Sequence, residues 1–414
     1  MPRVKRTIGN FANVVGGEAM LRVATLAAAV VIARLGGTAA FGMYATALAY
    51  VTIATIIADN GFQITALREV SARPDQINHI CSRLYVSKTL LFVPMLVVLW
   101  VIGHVAHLPN LYWNIAALLT IRAMIQTHCV MQGAILKAID HVRVISVSQG
   151  THAAILLLAL WRCYSTRSSI YLVLLVLIVG QSTEFCMEAA FLWRKGIRPA
   201  RPRLRECWHL VSGSTFIGIT FALANSILRL DVLLLSFIAG AASVGVFAAA
   251  QTVIVVVYVV AWLLGSILLP DMTRLATSEQ ELKHYVRRWS GMAIALLVPG
   301  SIVAMAAAPF VMRTVFGHAF DDSGLLLSIM MAAVPFIVLN SIRLHSAVAE
   351  RMSRVYLGTY VGALVITVLL NSALAFAFGA IGVAVAVVIR EVSIYFAFVF
   401  LRPERPLLET AAGV

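Results

Sequence analysis

The stretch GGTAAFGMYA at positions 36–45 returns as AGAASVGVFA at positions 239–248, each time between long apolar runs. The correspondence continues along the chain. Gly42 matches Gly245 at an offset of 203, Pro94 matches Pro299 at 205, and Gly150 matches Gly358 at 208, a drift that loop insertions produce. The polypeptide therefore reads as two copies of one unit.

Its composition says where those copies live. With 61% hydrophobic and 12% charged residues and a mean hydropathy of +0.92, the chain has more apolar surface than one water-soluble core can hide, and a bilayer must take it. Runs of about 20 apolar residues, the length that crosses a bilayer, are read at 11–33, 41–58, 86–106, 112–135, 142–161 and 170–192. Six more follow at 210–236, 244–268, 289–311, 325–347, 355–378 and 380–401. The expected fold is an all-α polytopic membrane protein of about 12 transmembrane helices. Its domains are an N-terminal lobe at 1–192, a basic linker at 193–209 containing Pro199 and Pro202, and a C-terminal lobe at 210–414 with a short tail.

An even number of spans per lobe inserts both lobes the same way round, as parallel repeats. Basic residues stay on the cytoplasmic side. Of the 32 Lys and Arg, 23 fall on segments that are inner if the N-terminus is inside, and only 4, Arg34, Arg162, Arg167 and Arg313, fall on outer ones. Both termini are thus expected in the cytoplasm. Trp113, Trp161, Trp193, Trp208 and Trp289 lie at predicted span ends, where an amphipathic ring suits the headgroup layer. The run Met1-Pro2-Arg3-Val4-Lys5-Arg6 enters the first span without a small-residue cleavage pattern, so that span is expected to remain attached.

The formal charge of +14 is spread over every inner loop, not gathered in one aromatic-interleaved stripe, and this argues against nucleic acid as a partner. Cys81, Cys129, Cys163, Cys186 and Cys207 are odd in number and widely spaced, so neither a metal site nor a disulfide frame is expected. No Gly-rich phosphate loop, HExxH or GxSxG pattern occurs, and no cofactor is expected. Two homologous membrane halves in one chain are a common plan for transporters, whose site lies between the repeats near the midplane.

A resemblance sharpens this. Arg34-Leu35-Gly36, Phe41-Gly42-Met43-Tyr44-Ala45, Asp59-Asn60-Gly61 and Arg68-Glu69, in that order, resemble the first two helices of Wzx-type polysaccharide flippases. These belong to the multidrug/oligosaccharidyl-lipid/polysaccharide (MOP) superfamily. Asp231-Val232-Leu233-Leu234-Leu235 followed by Val244-Gly245-Val246-Phe247-Ala248-Ala249-Ala250 resembles the turn after that family's seventh helix. The resemblance implies two six-helix bundles set in a V around a central cavity. It also implies a bacterial inner-membrane carrier that moves undecaprenyl-pyrophosphate-linked oligosaccharide from the cytoplasmic to the periplasmic leaflet by alternating access. Polymerase and other polysaccharide-assembly proteins are then potential partners, beside the membrane lipids, and a monomer is expected. Lipid II flippases of the superfamily often carry two more C-terminal helices, whereas this chain ends soon after Leu401. An O-antigen, capsule or exopolysaccharide unit is therefore the favoured cargo.

Such a cargo needs cations inside the membrane. Arg22, Arg122 and Arg229 lie mid-span, and Asn225 shares a helix face with Arg229. A central Arg costs about +3 kcal/mol on insertion scales, while a dozen Leu, Ile and Val return about −6 kcal/mol, so each span tolerates one. Guanidinium suits bidentate phosphate recognition. Structural readings stand beside these: Glu18 neutralises Arg22 one turn away, Asp231 pairs with Arg229, and Arg122, with Gln126 on its face, bonds another helix. Arg390 and Glu391, adjacent and expected to point different ways, read as packing groups, and Lys88 as a snorkelling one.

Glu184 and Glu188, one turn apart, are either coupling carboxylates or a solvated rim facing Arg194 and Lys195; Glu18 and Asp231 are further coupling or ion-pair residues. Pro94 and Pro299 mark equivalent helix bends. Two rival functions stay open: a cation-coupled multidrug exporter, and a membrane polymerase or ligase using His104, His107, His318, Asp321 and Asp322.

Overall fold

The computed structural model describes residues 2–105, 110–198, 202–350 and 353–400. Side chains are described for these except 2–15, 105, 110, 111, 216, 217, 219–226 and 353–357. In chain order the helices are α1 (Pro2–Asp59), α2 (Phe62–Ala72), α3 (Ile77–Val105), α4 (Asn110–Ala138), α5 (Val142–Ser165) and α6 (Ile170–Arg194). They continue as α7 (Leu204–Ile238), α8 (Ala241–Leu275), α9 (Glu279–Phe316), α10 (Asp321–Met331), α11 (Val334–Ala349) and α12 (Ser353–Phe400).

A straight helix as long as α1 would run about 85 Å, far beyond a hydrocarbon core of about 30 Å. It is cut at Gly37, whose φ of 71° is left-handed and tolerated by glycine. Gly379, at φ 59°, cuts α12 in the same way. Each of these helices supplies two spans. The helices α10 and α11 meet at a 47° break and form one bent span. With α3 to α9 the described helices give the expected six plus six. Among the described residues, α4, which carries Arg122, does not itself reach the apolarity of the other spans.

By contacts the chain forms two compact units, residues 1–249 with 313–320, and residues 250–312 with 321–414. The first unit contains both copies of the opening repeat, and they touch. A Cβ on Gly42 would fall 1.8 Å from the Ala241 carbonyl oxygen, and one on Gly245 would fall 1.9 Å from that of Thr38. Thr38 and Ala241 are themselves 203 apart, so this is a single contact made twice, each copy presenting to the other what it receives.

Beside it, Phe41 packs on Phe316 and Phe320 with ring centroids 6.2 and 5.9 Å away. Arg34 donates to the Val315 carbonyl at 2.8 Å and to that of Thr314, where its positive charge meets the carbonyl end of α9. At the other end of the second span, Asn60 donates to the Val211 carbonyl at 3.0 Å and to Ser214 Oγ at 2.9 Å, fastening α1 to α7. An apolar core of Phe62, Ala66, Ile80, Leu84, Ile135 and Leu192, with neighbours, joins α2, α3, α4 and α6 there.

Within the second unit, α9 runs through Pro299 without a non-helical residue, as α3 does through Pro94 in the first. The sharp breaks in the second unit's described helices lie at Gly379 and between Met331 and Val334. Trp161, Trp193 and Trp208 are 71%, 58% and 69% exposed, a suitable placing for rings in the headgroup layer.

Gly42→Ala and Gly245→Ala are each expected to destabilise the protein by at least about 2 kcal/mol, because backbone and not a flexible side chain fills the space. Gly150→Ala, with nothing within 4 Å of the added Cβ, should be neutral or stabilising by up to about 1 kcal/mol. Thermal unfolding of the three detergent-purified variants measures the difference.

Candidate functional site

The first unit brings the three mid-span arginines together. Arg22 on α1, Arg122 on α4 and Arg229 on α7 are joined by electrostatic reach, Arg229 feeling both of the others. Tyr44, from the repeated motif on α1, feels both Arg122 and Arg229. It is 6% exposed. The Nε of Arg122 is buried with no hydrogen-bond partner among the described residues. A buried guanidinium N–H left unmade costs stability, and it is also a donor held ready for an acceptor that arrives later.

Arg22 keeps its neighbour, with its NH2 3.2 Å from Glu18 Oε1. That pair is largely exposed, at 60% for Arg22 and 47% for Glu18. A mid-span pair on an exposed face calls for water or polar headgroups beside it. Asp231 is fully buried on α7. The side chain of Asn225 lies outside those described, as does His107.

Other charges are placed differently from the sequence expectation. Lys88 does not snorkel: its side chain is 0% exposed, with Nζ 3.1 Å from Asp59 Oδ1 and 5.9 Å from the centre of the Phe62 ring. Glu184 and Glu188 are not a solvated rim. They turn inward, to His152 at 2.7 Å and Ser148 at 2.8 Å, because polar groups on α5 offer hydrogen bonds where a rim would offer water. In the second unit Arg390 and Glu391 do not diverge. Arg390 Nε lies 3.2 Å from Glu391 Oε1, to which the Tyr258 hydroxyl donates at 2.8 Å. Asn340 donates to Glu391 Oε2 at 3.0 Å. That network answers its own charges and reads as packing.

His104 stacks on Trp100, while His318 precedes α10 and Asp321 and Asp322 open it, the position where acidic residues suit a helix N-terminus. Among the described residues no group of three His, Cys, Asp or Glu side chains is arranged to hold a metal ion.

Sequence reasoning singles out neither Tyr44, beside the arginines, nor His152 on α5, beside Glu184. Tyr44 is one residue of the repeated motif, and nothing in the pattern signals what its hydroxyl meets. A His inside an apolar span is itself a signal, and His152 carried it.

Solved structures share this fold. The chain matches an inward-facing multidrug-resistance MATE family transporter of the MOP superfamily at a TM-score of 0.73 and 13% identity, covering 92% of this chain and 93% of that one. It matches the lipid II flippase MurJ in an inward closed conformation at 0.70 and 13%, over 93% and 86% of the two chains. A third match, at 0.65 and 13% over 95% and 94%, is a MOP superfamily transporter from Pyrococcus furiosus, described as having a binding pocket of reverse polarity that suggests a different function. No curated protein matches.

The fold is therefore the one these structures share, a multi-pass architecture built from membrane-length helices. Within that fold, a family model described as polysaccharide biosynthesis protein matches residues 18–276, and the chain belongs to that family. The resemblance drawn from the first two spans to Wzx-type members is borne out.

The two kinds of charge site should separate by stability. Glu391→Ala leaves Arg390 enclosed with its carboxylate gone and is expected to lower stability by about 3 kcal/mol or more. Arg122→Ala relieves repulsion from Arg229 but also takes away the positive charge near Glu184, so it should change stability much less than Glu391→Ala, as read by thermal unfolding in detergent.

Proposed function

We propose that this chain is a flippase for a lipid-linked oligosaccharide whose pyrophosphate is received by Arg22, Arg122 and Arg229. The observation carrying this reading is the convergence of three guanidinium groups from α1, α4 and α7 in a protein of the polysaccharide biosynthesis family. Like charges gathered inside a membrane protein oppose its stability, and an anionic ligand resolves the conflict.

The pyrophosphate of a polyprenyl carrier supplies that anion, its glycan is polar, and its tail is apolar enough to remain in lipid. Guanidinium groups grip phosphate oxygens through paired N–H donors, and the Tyr44 hydroxyl adds one more. A pyrophosphate-linked oligosaccharide would thus be loaded at the cytoplasmic leaflet and delivered to the periplasmic one by alternating access. Both termini would lie in the cytoplasm, as the basic loops require. The assembly proteins that polymerise the delivered repeat unit would act after this step.

The multidrug-exporter alternative fits the cluster poorly, since a cationic drug would meet repulsion from Arg122 and Arg229. Drug accumulation in cells lacking the protein should accordingly match that of cells containing it.

Arg122→Ala and Arg229→Ala should each lower delivery of lipid-linked glycan to the periplasmic face by about tenfold or more, the equivalent of losing one good charge-assisted contact. The corresponding Lys variants should keep part of the activity, since they retain the charge without the fork. Protease or lectin accessibility of the glycan in spheroplasts, normalised to membrane levels of each variant, checks this. Wild-type delivery in both Ala variants would reject the assignment.

A further inference from the structure

Behind the arginine cluster, α4, α5 and α6 enclose titratable groups that substrate binding does not use. Glu188 is 1% exposed. Its Oε1 accepts from Ser148 Oγ at 2.8 Å, while its Oε2 is buried with no hydrogen-bond partner among the described residues. One turn earlier, Glu184 Oε2 accepts from His152 Nδ1 at 2.7 Å and from Gln181 Nε2 at 3.1 Å.

The far side of the imidazole is also bare. His152 Nε2 is buried and unpartnered. The ring is seated against Gly180, where a Cβ would come within 2.5 Å of Cδ2. The α6 backbone has thus made room for this ring, and the ring has turned one nitrogen to Glu184 and left the other open.

Two carboxylates one turn apart, both shut away from water, repel when both are ionised. Their surroundings divide the roles. Glu184 has two nitrogen partners within hydrogen-bond distance and interacts with Arg122. Glu188 has one donor, feels Lys137 from α4, and carries a bare oxygen on which a charge would lie unsolvated. Cys129 of α4 and Tyr85 of α3 also lie within reach of Glu188. From α1, which packs on α5 and α6, the charges Glu18 and Arg22 are engaged with each other.

We propose that Glu188 is a buried proton-binding site beside the His152–Glu184 pair, and that its proton load is linked through Glu184 to occupancy of the arginine cluster. On loading, an O–H bond forms at Oε2 with a proton delivered from water. On release that bond breaks, its electron pair stays on the carboxylate, and the proton returns to water. No electron is transferred.

The linkage follows from the shared neighbour. Arg122 acts on Glu184. An anion seated on Arg122 offsets the positive potential that the carboxylates feel and so favours a proton on Glu188. Reciprocity makes the loaded site favour the anion by the same factor. This second part rests on the flippase reading; the proton site does not.

Infrared spectroscopy of the full chain in lipid nanodiscs, titrated from about pH 5 to about pH 10, reads the C=O stretch of a protonated buried carboxyl. Wild type should show a band that disappears as pH rises, and E188Q should lack it. Ser148→Ala removes a donor that favours the ionised form and should move the midpoint upward by about one pH unit, a second readout if E188Q folds poorly. A band retained in E188Q, or a midpoint unmoved in Ser148→Ala, overturns the proton site.

For the linkage, farnesyl pyrophosphate added to weakly buffered protein should draw in a fraction of a proton, up to about one, per molecule bound by wild type and none with E188Q. Equal uptake by both overturns the linkage. If wild type fails to bind farnesyl pyrophosphate while its carboxyl band titrates normally, the substrate reading fails and the proton site stands.

Discussion

A charge enclosed among helices in hydrocarbon has no water to fall back on, and that constraint sorts the buried ionisable side chains among the described residues. It must find a partner, shed its charge, or wait for a ligand. Lys88 takes the first course with Asp59, and Arg390 takes it with Glu391, Tyr258 and Asn340. Arg122 and Arg229 stand near each other, so neither answers the other's charge. Stability alone gives no reason for that arrangement, and local choices that conflict with stability gather at functional sites. The polar groups of the chain therefore fall into those that hold helices together and those that do not. The second kind marks the proposed site.

Much of the architecture was legible beforehand because bilayer thickness leaves few choices. Runs of about 20 apolar residues could only be spans, and the duplicated glycine motif announced two related halves. The residues that carried the family resemblance prove to have local tasks. Arg34 caps the end of α9, Asp59 answers Lys88, Asn60 ties α1 to α7, and Glu69 accepts from Arg83 at 2.8 Å. A pattern first read as a likeness is also a set of contacts.

The site was less legible, for a physical reason. Helical periodicity says which residues share a face, but not what that face looks upon. Glu184 and Glu188 were rightly placed on one stripe, yet the groups that turn it inward, Ser148 and His152, lie more than 30 residues away. Adjacent Arg390 and Glu391 leave their helix about 100° apart, but long side chains drawn to a shared Tyr258 hydroxyl can still converge. Arg22, Arg122 and Arg229 stand out in the sequence because an arginine in an apolar run is conspicuous. Tyr44, no less central to the cluster, is an ordinary residue in such a run and gave no warning.

The Gly42 and Gly245 contact has a consequence for how this chain can evolve. Because each glycine meets backbone from the other copy of the motif, neither can drift to a larger residue unless its counterpart's strand of ancestry shifts the helix crossing as well. Duplication ordinarily frees one copy to wander. Here the two descendants remain bound to each other's history at the place where they touch, and divergence must be sought elsewhere along the sequence.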